Sequence, residues 1–116
     1  MEKTGTKKAI RRGDVFWVKL DPTIGSETKK TRPAVIISND IQNEIGIRFV
    51  VSPITSRVTK VYPFEALLQI KNKQGKAQLD QIRTIDKKRL GDFITHLSDQ
   101  ELEKINASLK LVLAIQ

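Results

Sequence analysis

The sequence predicts a mainly β (α+β) fold: a small, strongly curved antiparallel barrel with one C-terminal helix. Three observations carry this. Short runs rich in Val, Ile and Phe are separated by turns of Gly, Pro, Asn and Asp. Only one stretch has helical periodicity, and it comes last. A chain of 116 residues suits a single domain and buries enough surface for a core of its own.

The elements follow in order. Residues 1–11 hold two Thr, a Gly and scattered Lys without periodicity, and read as a basic flexible arm ahead of a domain spanning 12–116. Val15-Phe16-Trp17-Val18-Lys19-Leu20 is a first strand, stopped by Asp21-Pro22. Thr23 to Arg32 is a polar loop rich in turn formers. Pro33 restricts Arg32 to extended backbone. Ala34–Ser38 is an apolar run, and so a short strand buried on both faces. Asn39-Asp40 reads as a turn. Ile45–Val51 is a third strand, ending at Ser52-Pro53-Ile54-Thr55-Ser56. Val61–Ile70 is a fourth, with Pro63 at an edge or bulge. Lys71–Lys76 is a hairpin loop with three cations. Ala77–Ile85 is a fifth strand with Leu79 and Ile82 facing inward. Lys87–Gly91 is a basic turn, and Phe93–Leu97 a further short strand or turn. Ser98-Asp99-Gln100-Glu101 is a capping box. Leu102, Ile105, Leu109 and Val112, with Leu113 adjoining, then recur at helical spacing, predicting a helix of about 15 residues whose apolar face packs on the sheet.

Composition narrows the chemistry. There is no Cys and a single His, which excludes disulfides, thiolate nucleophiles, Cys-based zinc sites and a His–His acid/base pair within one chain. The absence of Cys fits a reducing, cytoplasmic setting. No segment has the apolar length of a membrane span. The net charge of +8 implies a polyanionic partner, and residues 1–12 carry half of it. No G-x-S-x-G elbow and no G-x-x-x-x-G-K phosphate loop occur. Carboxylates stand singly, without the clustering of metal sites, so no cofactor or metal is expected.

What remains is a cation-rich surface presenting Arg and hydroxyls. Arg32, held at the mouth of a buried strand by Pro33, offers a planar fork suited to phosphate. It suits equally a rim ion pair with Asp40 or Glu27. Thr55 and Ser56 end a strand just after Pro53, where two hydroxyls donate to a phosphate oxygen or cap a turn. Glu27 in the loop and Asp80 between Gln78 and Gln81 orient an Arg or form plain salt bridges. His96, with no evident acidic neighbour, reads as a packed or surface residue.

At these residues the chain resembles the MazF/PemK/Kid family of toxin endoribonucleases. The matching stretches are Arg12-Gly13-Asp14-Val15-Phe16-Trp17, Leu20-Asp21-Pro22 with Gly25-Ser26-Glu27, Arg32-Pro33-Ala34-Val35-Ile36-Ile37-Ser38-Asn39-Asp40, Pro53-Ile54-Thr55-Ser56, and Asp80 through Leu90. The resemblance covers about residues 11–116. It implies an SH3-like barrel of the CcdB/PemK type, acting as a homodimeric toxin, with an acidic, partly disordered antitoxin as partner. It implies metal-independent cleavage of single-stranded RNA at short sequences. The ribose 2′-OH attacks the adjacent phosphate, giving 2′,3′-cyclic phosphate and 5′-OH ends. The family's catalytic Arg falls on Arg32 and its partner hydroxyl on Thr55. RNA contacts fall on Ser26, Glu27, Lys29, Lys30, Ser56, Gln78, Asp80 and Gln81. Arg is a poor proton donor near neutral pH, so Arg32 is expected to act by charge. The general base is unassigned, with Glu27 a candidate. The chain departs from the family pattern at Thr28-Lys29-Lys30-Thr31, where many members carry Gln-x-Gly, and at Gln78, where some carry Arg. The alternative expectation is a CcdB-like barrel that binds a protein target such as gyrase without chemistry. Few aromatics argue against a third, purely RNA-binding barrel.

Overall fold

The computed structural model describes residues 9–20 and 31–116. The expected curved antiparallel architecture with a terminal helix is what the chain forms. Seven strands lie among the described residues: β1 (Asp14–Lys19), β2 (Thr31–Ile36), β3 (Arg48–Thr55), β4 (Glu65–Ile70), β5 (Lys73–Gln78), β6 (Arg83–Asp86) and β7 (Leu90–His96). Helix α1 (Asp40–Ile45) precedes β3, and helix α2 (Asp99–Leu113) ends the fold. The order across the sheet is β4-β5-β3-β2-β1-β7, with β6 paired to β3.

Alternation along the strands builds two apolar layers, one on each face. Val15, Val35, Ile37, Ile54, Leu68 and Leu79 form one with Leu97 and Ile105. Phe16, Val18, Ala34, Ile36, Phe49, Val51 and Ile85 form the other. Ala34 through Ser38 are all buried, but the strand runs from Thr31 to Ile36, so it starts earlier than expected and Ile37 and the polar Ser38 lie past its end. Ile10 packs on the second layer, and the Arg11 N–H donates to the Asp14 carboxylate at 2.9 Å. The packed chain therefore reaches back at least to Ile10.

Strand β3 changes partner along its length. Arg48–Val51 pair with β6, while Ile54 and Thr55 pair with β5. Pro53, which has no N–H to donate, stands where the partner changes. The stretch expected as one strand, Ala77–Ile85, is accordingly broken: a 3₁₀ turn at Leu79–Gln81 carries the chain from β5 to β6. Leu79 is fully buried and Ile82 packs beside it, so both do face inward.

Other boundaries move for local reasons. The expected turn at Asn39-Asp40 begins a helix: the Asn39 side chain accepts the Gln42 N–H at 2.8 Å, and Gly46 closes the helix at φ +74°. Strand β3 therefore starts at Arg48, not Ile45. The fourth strand starts at Glu65, because Val61–Phe64 form a loop and turn. The expected loop Lys71–Lys76 shrinks to Lys71-Asn72, where Lys71 takes φ +56°, and Lys73 already pairs with Ile70. Lys87–Arg89 form a 3₁₀ turn, and β7 begins at Leu90.

Helix α2 keeps its predicted start and length. The Ser98 side chain accepts the Glu101 N–H, and the Glu101 carboxylate accepts the Ser98 N–H at 3.0 Å. Leu102, Ile105, Leu109 and Val112 pack on the first layer, whereas Leu113 stands half exposed. Glu101 and Lys104 also reach the edge strand β4, at the Gln69 N–H and the Leu67 carbonyl. Among the described residues, no helix is long and apolar enough to cross a membrane.

Candidate active site

Strand β2 brings Arg32 to the sheet rim. Val18 of β1 is its partner on one side. On the other side, β2 pairs with β3 at Ala34↔Pro53. That ladder ends at Ala34 and Pro53, with Arg32 and Thr55 each two residues further toward the rim. Across β3, Thr55 is paired with Lys76 of β5.

Two clefts open there. The first, about 610 Å³, is lined by Leu20, Arg32, Pro53, Thr55, Arg57, Gln78, Gln81 and Arg83. It occupies the gap left where β3 passes from β6 to β5. The second, about 540 Å³, is lined by Trp17, Arg32, Pro33, Ile54, Thr55, Ser56, Lys71, Lys73 and Gly75, among others. Arg32 and Thr55 are the two residues common to both linings. No carboxylate or imidazole lines either cleft among the described residues. Gly75 is needed for close packing, since a Cβ there would come within 2.8 Å of Ile54 Cγ2. A third cleft at α1, about 660 Å³, shares no lining residue with these two.

The hydroxyl of Thr55 is oriented from below. Its Oγ1 accepts the backbone N–H of Arg57 at 3.2 Å, which leaves its own proton free to donate outward. Behind it, the Lys76 ammonium meets the Glu65 carboxylate at 2.8 Å, both side chains being buried, and also donates to the Lys60 carbonyl. Glu65 accepts the Tyr62 N–H at 2.9 Å. Burial pushes the Glu65 carboxyl up, but the hydrogen bonds and charge from Lys76 and Tyr62 outweigh it and hold it below the ordinary value. Buried charge thus braces β4 against β5, the strand whose Lys76 is paired with Thr55.

The sequence candidates sort as follows. Arg32, Thr55, Ser56, Gln78 and Gln81 come together in the clefts. Asp80 is exposed on the 3₁₀ turn and lines neither cleft. Ser26, Glu27, Lys29 and Lys30 lie outside the described residues. The rim ion pair of Arg32 with Asp40 does not form. Asp40 instead accepts the backbone N–H of Arg12 at 2.8 Å and a bond from Asn43, which hold its carboxyl below the ordinary range. His96 does have an acidic neighbour, the fully buried Asp14, with Nδ1 2.7 Å from its carboxylate. That pair joins residues 82 apart in sequence, and strand pairing alone brings it together. Sequence reasoning missed Arg57, Arg83 and Trp17 as cleft residues. Arg57 follows Thr55 by two, and that spacing was the available signal.

Residues 11–113 match the family described as PemK-like, MazF-like toxin of type II toxin-antitoxin system. Endoribonuclease EndoA of Bacillus subtilis is 38% identical over 111 residues, covering 91% of this chain and 96% of that protein. Endoribonuclease MazF9 of Mycobacterium tuberculosis is 42% identical over 111 residues, covering 88% and 94%. The crystal structure of MazE-MazF (Form-II) from Deinococcus radiodurans matches with a TM-score of 0.80 at 25% identity, covering 95% of this chain and all of that one.

Proposed function

This chain belongs to the PemK-like, MazF-like toxins of type II toxin-antitoxin systems, and from that premise we propose how it acts as an endoribonuclease. Its substrate is single-stranded RNA, cut at short sequences without metal. The ribose 2′-oxygen attacks the neighbouring phosphorus, the bond to the 5′-oxygen breaks, and the products are a 2′,3′-cyclic phosphate and a 5′-OH.

The observation that carries this reading is the meeting of Arg32 and Thr55 at the junction of two cation-lined clefts free of described carboxylates. Negative charge builds on the non-bridging oxygens as the phosphorane forms. The Arg32 guanidinium and the Thr55 hydroxyl proton stabilise it where it develops. Ser56, Gln78 and Gln81 are the cleft's hydrogen-bonding walls for the RNA. Asp80, Ser26, Glu27, Lys29 and Lys30 are assigned RNA contacts by family likeness alone, and Glu27 is the candidate base.

The partner is an antitoxin, an acidic and partly disordered one that suits a +8 surface. The toxin works as a homodimer in the cytoplasm. Exposed apolar surface supports the dimer: Ile41, Ile45 and Ile47 near α1, and Leu111, Leu113 and Ile115 at the end of α2, all stand in solvent in the single chain. The gyrase-binding alternative uses neither Arg32 nor Thr55, and no feature of the site favours it.

Primer extension on a long RNA, incubated with the protein in chelator, tests the proposal. Wild type cuts at a short recurring sequence, while Arg32→Ala folds and cuts about 10²–10³-fold more slowly. Intact RNA with wild type, or full activity in Arg32→Ala, refutes it.

A further inference from the structure

We propose that Arg83 is a phosphate-binding residue of the cleft, holding an RNA phosphate next to the one that is cut. This rests on the endoribonuclease reading of Arg32 and Thr55. Arg83 opens β6 opposite Val51 of β3, and its side chain lines the cleft that also holds Arg32, Thr55 and Arg57.

Its guanidinium is set before any ligand arrives. Nη1 donates to the carbonyl of Leu20, another residue of the same cleft. Ordering a long side chain on binding is a cost that weakens an ordinary surface Arg. Here one bond to the Leu20 carbonyl already restrains the side chain in the folded chain. One of five N–H donors is engaged, and the others remain as a planar edge matched to phosphate oxygens. No described carboxylate pairs with Arg83. Three guanidiniums therefore line one cleft without a described counter-charge, an arrangement that a polyanion relieves. Arg89 makes a comparable bond to the Lys19 carbonyl but lines none of the clefts, and so carries no such role.

A purely structural Arg83 would tether Leu20 and nothing more. Short RNAs separate the two roles. Each carries 2′-O-methyl at the cut site to block cleavage, and one phosphate at a time is replaced by neutral methylphosphonate. Binding is followed by fluorescence anisotropy with wild type, Arg83→Gln and Arg83→Lys. Wild type loses about tenfold in affinity when one phosphate beside the cut is neutralised. Arg83→Gln binds about tenfold more weakly and is indifferent to that same change. Its slope of log affinity against log salt is shallower by about 0.7. Arg83→Lys keeps the charge without the fork, and shows a smaller loss at the same phosphate only. That variant decides the matter if Arg83→Gln fails to show a cooperative thermal transition. Wild-type affinity in the variants, or a variant as sensitive to every phosphate as wild type, overturns the assignment. Cleavage of unmodified RNA by wild type and Arg32→Ala is run alongside. If wild type cuts and Arg32→Ala does not, a failure at Arg83 leaves the endoribonuclease reading standing. If wild type does not cut, that reading fails first.

Discussion

The Thr55 hydroxyl accepts a bond from the Arg57 backbone, which leaves its proton available to a ligand. Thr55→Val keeps the branched shape on the strand and removes only the donor. Its cleavage rate should fall about ten- to a hundredfold in single-turnover assays, with binding much less affected; Thr55→Ser should keep most of the rate. The pair behind it makes a separate claim. Glu65→Gln leaves the Lys76 ammonium buried without a counter-charge, and should cost about 3 kcal/mol, read as a lower urea midpoint. Adding Lys76→Met should recover most of that loss. Arg32 and Thr55 were legible as rim residues beside prolines, but their pairing as candidates came from the family resemblance, since each proline equally suits an ion pair or a turn cap. Lys76 and Glu65 were not, because theirs is a diagonal pairing across β4 and β5: Glu65 stands opposite Gln78, two residues from Lys76. Asp14 and His96 were hidden differently: they are direct partners across β1 and β7, 82 residues apart, and no local signal reveals that pairing.

Helix α2 is the element most fully written in the sequence. Its capping box and its stripe are local signals, and both survive in the fold. Ser98→Ala removes the acceptor for the Glu101 N–H, and should cost about 1 kcal/mol and lower the melting temperature by roughly 4 °C in calorimetry. Glu101 works in two elements at once, since it also accepts the Gln69 N–H of edge strand β4 at 2.7 Å. Glu101→Ala should therefore cost more than Ser98→Ala. Helix α1 was missed although Asn39 and Gly46 are its proper caps, because six residues are too few to display a period. The break at Leu79–Gln81 was missed for another reason. A strand pattern records which face a residue takes, and not which neighbour the strand pairs with.

At the scale of the whole molecule, three carboxyls among the described residues sit below their ordinary range: Asp40, Glu65 and Glu101. For Glu101, burial acts against the shift, and the Gln69 and Ser98 bonds overcome it. A carboxyl lowered on folding stabilises the native state fully above its ordinary value, and that contribution is lost as pH falls through the lowered one. The ordinary values are 3.8 for Asp40 and 4.5 for the two glutamates. The urea midpoint should thus begin to drop below about pH 4.5, and less steeply in Glu65→Gln. A midpoint unchanged down to pH 3 would contradict this. The charge of +8 made a polyanionic partner legible from composition alone, but only strand pairing reveals where three of those cations converge. The cleft itself is a parting between two strands that share β3. Arg32, Thr55, Arg57, Gln78, Gln81 and Arg83 all lie outside both apolar layers. Under the proposed reading, substitutions at these positions are expected to change which nucleotides are accepted while both apolar layers stay in place.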